Sequence, residues 1–315
     1  MLLIVNPLAR GVTAHVRAHV ERLLRVEHDV SVIETTRPGR ATSLARTAAA
    51  LGTDAVAVLG GDGVLNEAAN GLAGTEAILL PVPAGSTNVF ARSIGLPNNA
   101  PAATKTLLES LAAGSVRPVG AGRANGRLFL CNAGVGFDAA VIARVEARRR
   151  LKRRLGHLWF VGAAVDTWLR GLDRRAPHLS LALADEPSTP AYFVLFVNSD
   201  PYTYLYRWPI RLGPAGTGLT VAAGLTLRLG PVLRTTGAAL RLGPRAGVGR
   251  AVSLRPGVSR AAIEADRPMP LQLDGEFVGC VERVEVAYQP EALRVAVPAA
   301  GPTLRRGATP LSGEQ

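Results

Sequence analysis

The sequence predicts a two-part fold, an α/β domain followed by a mostly antiparallel β-sandwich. In residues 1–120, short apolar runs alternate with segments of helical periodicity, which is typical of a parallel sheet with helices on both faces. In residues 121–298 the apolar runs are short and β-rich, and frequent Gly and Pro separate them, which favours antiparallel strands. We expect a disordered tail over residues 299–315, where apolar side chains are few.

Four apolar runs in the first domain are predicted strands, and a segment of helical spacing follows each of them. The strands are expected at Leu2–Asn6, Val30–Glu34, Ala55–Leu59 and Ile78–Pro83. The helices are expected at 13–26, 40–51 and 64–72, with one more after the fourth strand. Ligands of parallel sheets bind at the carboxyl ends of the strands, so the loops that follow these strands are the expected binding site.

The second domain is predicted as short strands interrupted by helical segments. A helical insertion covers about 138–171, and a second short helix is expected over 231–240. The predicted strands include Arg127–Cys131, Ala191–Asn198, Leu219–Ala223, Val252–Arg255, Ala261–Ala265 and Val281–Ala287.

The composition excludes several classes of protein. With 48% apolar and 19% charged residues, the chain is globular rather than intrinsically disordered. Cys131 and Cys280 are too few for a disulfide framework or a multi-cysteine zinc site, and we expect both to be buried. No run of 18 apolar residues is present, so no membrane-spanning helix is expected, and a cytoplasmic location is the prediction.

The net charge of +12 is concentrated in the second half of the chain. The segment Arg148–Arg154 has six cations in seven positions, and an aromatic and apolar segment over 158–172 follows it. A basic cluster beside such a segment suits an anionic membrane surface. The alternatives are that the basic run is a solvated face and that the apolar segment packs on the sandwich. We find no recognition element for nucleic acid and expect no nucleic-acid partner.

The sharpest motif lies between the third predicted strand and its helix. It reads Gly60-Gly61-Asp62-Gly63-Val64-Leu65-Asn66-Glu67. Glycines let the backbone approach a ligand closely, and a helix N-terminus offers free N–H groups, so this loop predicts a phosphate cradle. It is neither a Walker A loop nor a Gly-x-Gly-x-x-Gly loop. The carboxylate of Asp62 inside it suggests Mg²⁺ binding or proton transfer, and the alternative is a tight turn with an N-capping Asp.

Three further strand ends carry polar residues or glycine. After the fourth strand come Gly85, Ser86 and Asn88, whose hydroxyl and amide groups suit phosphate or ribose; the alternative for this turn is a helix cap. The loop after the first strand has the same character, and Thr35 follows the second strand. The polar and glycine positions of that first loop are Asn6, Pro7, Arg10 and Gly11. Four such loops at one edge of a sheet predict a nucleotide site.

The order and spacing of these motifs resemble the diacylglycerol kinase catalytic-domain family, which includes bacterial lipid kinases related to sphingosine and ceramide kinases. The resemblance continues through Asn132-Ala133-Gly134-Val135-Gly136-Phe137-Asp138 and Leu273-Asp274-Gly275-Glu276, and covers about residues 1–298. It implies a phosphofructokinase-like first domain and the cofactors ATP and Mg²⁺. It also implies transfer of the γ-phosphoryl group to a lipid hydroxyl, with diacylglycerol as the expected lipid and phosphatidic acid as the product.

The resemblance also implies roles for individual residues. Glu276 matches the proton acceptor, for which the alternative is an ordinary hairpin turn with exposed acids. Asp62 matches an essential acid that would hold Mg²⁺ together with the ATP phosphates. Asp274 would support Glu276 or bind metal, and Asp138 would either cap the helical insertion or belong to the site. The matched nucleotide contacts are Asn6 to Gly11, Thr35, Gly61 to Glu67 and Ser86.

Three positions depart from the family pattern. Val64 and Ser86 each stand where Thr is usual, and Thr217 stands where relatives place an Asp of a structural Mg²⁺ site. We therefore expect that structural metal site to be absent. Two other functions stay open: a kinase of a long-chain base or of phosphatidylglycerol, and a non-catalytic nucleotide-binding protein at the membrane. A lipid kinase must reach its substrate in a bilayer, so we expect peripheral attachment to the inner face of the membrane. A homodimer is an assembly that the sequence leaves open.

Overall fold

The structure is a computed structural model. It describes residues 1–147, 162, 166–167, 176–184, 186–205, 208–210, 217–228, 230 and 251–299. Three of the predicted features lie outside these ranges: the basic run Arg148–Arg154, the short helix over 231–240, and the tail from residue 300 onward. The helical insertion is described in its first part and at residues 162 and 166–167.

The first domain has the alternating strands and helices that the sequence predicts. Its strands are β1 (Leu2–Val5), β2 (Ser31–Glu34), β3 (Ala55–Gly60) and β4 (Ile78–Pro83). Its helices are α1 (Ala14–Leu24), α2 (Arg40–Ala50), α3 (Asp62–Leu72), α4 (Val89–Ser93) and α5 (Ala100–Ala112). All four strands are parallel, in the order β4-β3-β1-β2. Their carboxyl ends therefore meet at one edge, as predicted.

Local chemistry explains where these elements begin. The hydroxyl of Thr13 accepts a hydrogen bond from the N–H of Val16 and caps α1, and the side chain of Asn99 caps α5 in the same way. The whole of β1 is buried, which is the pattern of a parallel strand with helices on both faces. Helix α3 begins two residues earlier than predicted, at Asp62, so the glycine-rich motif forms its first turn.

The remainder of the chain is rich in strands. Its elements are β5 (Val116–Ala124), β6 (Arg127–Phe129), β7 (Asn132–Gly136), α6 (Phe137–Ala147), β8 (Leu179–Leu183), β9 (Thr189–Ala191), β10 (Phe193–Val197), β11 (Thr203–Leu205), β12 (Trp208–Ile210), β13 (Leu219–Gly224), β14 (Val252–Val258), β15 (Arg260–Leu273) and β16 (Glu276–Ala296). Strands β14, β13, β10, β7, β15 and β16 follow one another side by side as antiparallel pairs. The mostly antiparallel character predicted for this region is confirmed.

The last strand connects the two regions. Near its end β16 pairs in parallel with β4, placing Arg294 beside Ile78 and Val295 beside Leu79. The apolar residues of 292–297 belong to the hydrophobic core of the first domain, while a second core lies among the antiparallel strands. The domain boundary at residue 120 stays a prediction, and the structure adds that the C-terminal strand packs in the first core.

Two details differ from the sequence prediction. The strand expected over Arg127–Cys131 ends at Phe129. Cys131 is buried as predicted, but Cys280 is exposed, so that prediction is wrong. The prediction relied on the apolar neighbours of Cys280 in the sequence. Side chains alternate between the two faces of a strand, however, and Cys280 points away from the core. Among the helices in the described ranges, none is long and apolar enough to cross a membrane.

Candidate active site

The loops at the carboxyl edge of the parallel sheet are joined by backbone hydrogen bonds. The N–H of Gly11 donates to the carbonyl of Ala84 at 2.8 Å, and the N–H of Ala84 donates to the carbonyl of Gly60 at 2.7 Å. Beside them, the N–H of Thr35 donates to the carbonyl of Val5 at 2.8 Å. The four loops that the sequence singled out thus form one continuous edge.

Close packing of backbone against backbone explains the glycines in these loops. A Cβ atom on Gly85 would lie 2.6 Å from the Cα of Gly61, and one on Gly60 would lie 2.3 Å from Cγ1 of Val64. Neither distance is compatible with a side chain. The first N–H groups of α3 have no partner within the helix, and a helix N-terminus of this kind suits a phosphate group.

The predicted nucleotide contacts divide into two groups by exposure. Those at least partly exposed along the edge are Asn6, Pro7, Arg10, Gly11, Thr35, Gly61, Asp62, Gly63, Glu67, Gly85 and Ser86. Those buried are Gly60, Val64, Leu65, Asn66 and Asn88. Members of the buried group are placed to shape the loops, and a ligand would meet them through their backbone.

Several of the predicted polar contacts use their side chains within the protein, among them Asn88 and Glu67. Asn88 accepts a hydrogen bond from the N–H of Gly85 at 2.8 Å and donates to the carbonyl of Gly85 at 3.1 Å, so it closes the loop around Ser86. The carboxylate of Glu67 accepts from the N–H of Ala41 at 3.2 Å, at the start of α2. The hydroxyl of Ser86, in contrast, is exposed at the loop surface.

Asp62 occupies the first position of α3, beside a small pocket. Gly61, Leu65, Pro83 and Asn88 also line this pocket. The carboxylate of Asp62 accepts a hydrogen bond from the N–H of Phe90 at 3.3 Å, at the N-terminus of α4. It therefore caps the neighbouring helix rather than its own.

The carboxyl group of Asp62 is surrounded by protein although part of the residue reaches solvent. Loss of hydration raises its pKa from 3.8 to about 6, against the lowering effect of the backbone N–H groups of residues 88–90. The negative charge of Asp274 raises this pKa further. A carboxyl group whose pKa is raised toward neutrality at the carboxyl edge of a parallel sheet is typical of a functional site.

Asp274 joins the antiparallel region to the glycine-loop helix. Its carboxylate accepts from the N–H groups of Leu130, Cys131 and Asn132 at 2.8, 2.7 and 3.0 Å. It also accepts from Nδ2 of Asn66 at 2.7 Å. Burial raises the pKa of Asp274, while these hydrogen bonds act to lower it. With both carboxylate oxygens occupied by N–H donors, the geometry favours support of the adjoining turn over metal binding.

Glu276 follows a two-residue hairpin turn between β15 and β16. Asp274 and Gly275 form this turn with φ of 50° and 79°, the left-handed conformation of a type I′ turn. The Glu276 carboxylate lies 2.6 Å from Nη2 of Arg127, and the two side chains are 41% and 37% exposed. Sequence reasoning missed Arg127, because a pair separated by 149 positions carries no local signal.

A second set of buried contacts lies behind this turn. Gln272 accepts from the N–H of Gly275 at 2.8 Å and donates to Asp138 at 2.9 Å and to the side chain of Asn132 at 2.8 Å. The hydroxyl of Tyr202 donates to Asp138 at 3.1 Å. Burial raises the pKa of Asp138 and these bonds act to lower it. Of the two roles predicted for Asp138, the geometry favours support of the site.

The side chains of this site offer few ligands for a metal ion. In the described part of the chain, no three or more His, Cys, Asp or Glu side chains cluster as metal ligands do. A Mg²⁺ ion that arrives with ATP needs only one or two carboxylates, since phosphates and water supply its other ligands. Asp62 at the glycine-rich loop fits that smaller requirement.

Comparison with known proteins agrees with this geometry. Residues 1–124 match the family model of the diacylglycerol kinase catalytic domain. A protein of Pseudomonas aeruginosa named "Probable lipid kinase YegS-like" is 31% identical over 309 residues, covering 92% of each chain. The chain belongs to the diacylglycerol kinase catalytic-domain family. This membership confirms the predicted enzyme class, a lipid kinase.

A second relative and two solved structures are also similar to this chain. A diacylglycerol kinase of Bacillus subtilis is 33% identical over 147 residues, covering 46% of each chain. A crystal structure of a candidate diacylglycerol kinase from Bacillus anthracis superposes with a TM-score of 0.74 at 21% identity, covering 95% of this chain and 97% of that one. An ATP complex of an NAD kinase from Archaeoglobus fulgidus gives a TM-score of 0.52 at 12% identity, covering 95% of this chain and 94% of that one. The two structural likenesses show the fold and confirm the predicted fold class.

Proposed function

We propose that this enzyme transfers the γ-phosphoryl group of ATP to the free hydroxyl of diacylglycerol, giving phosphatidic acid and ADP. The observation that supports this best is the position of Glu276. Contacts of Arg127 and Asp274 with Asn66 hold the Glu276 turn against α3, the helix that begins in the glycine-rich loop. An accessible carboxylate therefore stands beside the proposed phosphate site, as phosphoryl transfer to an alcohol requires.

The nucleotide half of the proposed site is the edge of the parallel sheet. Backbone N–H groups at the start of α3 would bind phosphate oxygens, and the exposed hydroxyl of Ser86 and the side chain of Arg10 lie along the same edge. Asp62 is the residue proposed to hold Mg²⁺ together with the ATP phosphates. The ion, when bound, would neutralise the charge that develops on the phosphoryl oxygens.

The acceptor half of the proposed site is Glu276. A lipid hydroxyl is a weak nucleophile, and it loses its proton to the carboxylate as its oxygen bonds to the γ-phosphorus. The bond between that phosphorus and the oxygen bridging to the β-phosphate breaks, and ADP leaves with the electron pair. General base catalysis of this kind typically contributes about 10²–10⁴-fold to the rate.

Radiolabelled ATP tests the proposal when it is incubated separately with diacylglycerol, a long-chain base and phosphatidylglycerol in mixed micelles. We expect label in phosphatidic acid from the wild type and at least about 100-fold less from Glu276→Gln. Label in one of the other lipids instead would overturn diacylglycerol as the substrate. Binding of ATP without label in any lipid would favour the non-catalytic alternative.

We also propose that the enzyme attaches to the inner face of the membrane through the basic run Arg148–Arg154. The support is its composition, six cations in seven positions next to an aromatic and apolar segment. Each cation near an anionic surface contributes about 1 kcal/mol, so replacing residues 148–150 by Ser should weaken binding to anionic vesicles about 100-fold.

The matched control for the vesicle experiment replaces three exposed arginines of the first domain, Arg22, Arg25 and Arg46, by Ser. This control loses the same charge, and we expect it to co-sediment with anionic vesicles nearly as well as the wild type. Equal binding of both variants would show that the basic run is only a solvated face.

A further inference from the structure

We propose that Arg127 is a positioning residue for phosphoryl transfer, holding the Glu276 carboxylate by one oxygen against the helix of the glycine-rich loop. The proposal rests on the proposed function, because it takes Glu276 as the proton acceptor. Three features of the structure carry it: the contact with Glu276, the contact with Asn66, and the setting of Arg127 in its hairpin.

The contact with Glu276 uses one carboxylate oxygen. Nη2 of Arg127 donates to Oε2 at 2.6 Å, and in the part of the chain that the structure describes no hydrogen bond reaches Oε1. Both side chains are more than a third exposed, so a substrate can approach the free oxygen. A charge-assisted bond to Oε2 fixes the direction of the carboxylate and leaves Oε1 to accept a proton.

The contact with Asn66 fixes Arg127 to the nucleotide half. The same Nη2 atom lies 3.4 Å from Oδ1 of Asn66, a side chain that is 1% exposed on α3. The amide of Asn66 cannot rotate freely, because its Nδ2 donates to the carbonyl of Leu128 at 2.8 Å and to Asp274 at 2.7 Å. Its Oδ1 is therefore held in place as an acceptor, shared between Nδ2 of Asn70 at 3.2 Å and Arg127.

The hairpin sets the position of the guanidinium. Arg127 is the first residue of β6, directly after a two-residue turn in which Asn125 and Gly126 have φ of 46° and 85°. One guanidinium nitrogen, Nη2, thus lies between acceptors on two different elements, and the planar group holds that nitrogen in a fixed direction. Exposed ion pairs add little to the free energy of unfolding. The contact of Arg127 with Glu276 therefore contributes more to the orientation of the carboxylate than to the stability of the fold.

A double-mutant cycle tests this role. The variants are Arg127→Met, Glu276→Gln, both together, and Arg127→Lys, each measured for kcat, lipid KM and ATP affinity. We expect Arg127→Met to lower kcat about tenfold or more, with ATP affinity within about twofold of wild type. Arg127→Lys should recover part of the loss. In the Glu276→Gln background, Arg127→Met should cost little more, because the two residues act as one unit.

The matched control is Arg123→Met, on the neighbouring strand of the same hairpin. Arg123 donates to the carbonyl of Gly126 and to Gln289 and contacts neither Glu276 nor Asn66. We expect its kcat to equal that of the wild type, within about twofold.

If the wild type is active, any of three results would overturn the proposal. The first is a kcat of the double variant that falls by the product of the two single losses. The others are a fall in the ATP affinity of Arg127→Met and an unchanged kcat of Arg127→Met. A wild type that phosphorylates no lipid would overturn the proposed function, and this inference with it.

Discussion

The nucleotide half and the acceptor half of the proposed site differ in whether backbone or side chains determine their geometry. At the glycine-rich loops, backbone packs on backbone: Gly61 and Gly85 lie directly against each other, and the first N–H groups of α3 have no partner within the helix. At the turn before Glu276, the geometry depends on side chains, because Asp274 and Gln272 accept the N–H groups that hold it. Backbone N–H groups suit the binding of phosphate, whereas a single carboxylate held in a fixed direction suits the acceptance of a proton.

The largest effect is expected from replacing the acid of the glycine-rich loop, in the nucleotide half. Asp62→Asn should lower kinase activity by more than about 100-fold, because the proposed Mg²⁺ ligand and its charge are lost. The measurement is turnover of labelled ATP on lipid. Activity within about tenfold of wild type, ~1.4 kcal/mol of barrier, would contradict this role.

The same variant should gain stability at neutral pH. The pKa of Asp62 is raised from 3.8 to about 6, so its contribution to stability is present below pH 3.8 and is lost as the pH rises to about 6. Asn carries no such pH dependence and can still accept from the N–H of Phe90. Urea unfolding should therefore show Asp62→Asn about 1–3 kcal/mol more stable than wild type at pH 7.5, and nearly equal at pH 4.

Adding a single methyl group at Gly85 tests the close backbone packing of the nucleotide half. Gly85→Ala would place Cβ 2.6 Å from the Cα of Gly61, and backbone cannot move aside as a side chain can. We expect a loss of about 2–3 kcal/mol in the free energy of unfolding, together with weaker ATP binding. As a stability control, Gly63→Ala adds a methyl group in open space on α3 and should leave the unfolding midpoint unchanged or slightly raised. Equal midpoints for the two variants would contradict the packing argument.

The side-chain half is tested by removing one charge. Asp274→Asn replaces one carboxylate oxygen by an amide nitrogen that cannot accept. Each oxygen accepts from two of the four donors, which are the N–H groups of residues 130–132 and Nδ2 of Asn66, so two donors lose their partner. We expect a loss of about 2 kcal/mol, measured by urea unfolding. The control is Asp266→Asn, an exposed carboxylate that should change stability by less than about 0.5 kcal/mol. If the two variants lost the same free energy of unfolding, the hydrogen bonds of Asp274 would not be what holds the turn before Glu276.

The backbone half could be predicted from sequence almost completely, and the side-chain half only in part. Strand periodicity and glycine spacing are local, so they place the loops near Gly11, Gly61 and Gly85 at one edge. Arg127 and Tyr202 gave no such signal, because their partners are distant in the chain and any polar residue fits the local pattern. The return of β16 to the first core was also missed, since an apolar run does not show which sheet it joins.

For Asp62, the sequence predicts the position in the fold but not the contact that its side chain makes. Its place at the start of the glycine-rich helix follows from the sequence, but its contact with the N–H of Phe90 depends on how α4 packs beside α3. Similarly, Glu276 could be placed on a hairpin turn from the Asp-Gly dipeptide before it, while its ion pair required the fold. Motifs predicted where these candidate residues lie in the fold, and the structure was needed to say what each one touches.

The central claim is that nucleotide binding and proton acceptance belong to separate halves of one site. Its most direct test measures turnover on lipid and ATP affinity together for Glu276→Gln, a change that keeps the shape of the side chain and removes its basic group. We predict a fall in turnover of about 10²–10⁴-fold with ATP affinity within about twofold of wild type. A fall in ATP affinity with turnover at saturating ATP unchanged would contradict the claim, since Glu276 would then be part of the nucleotide site.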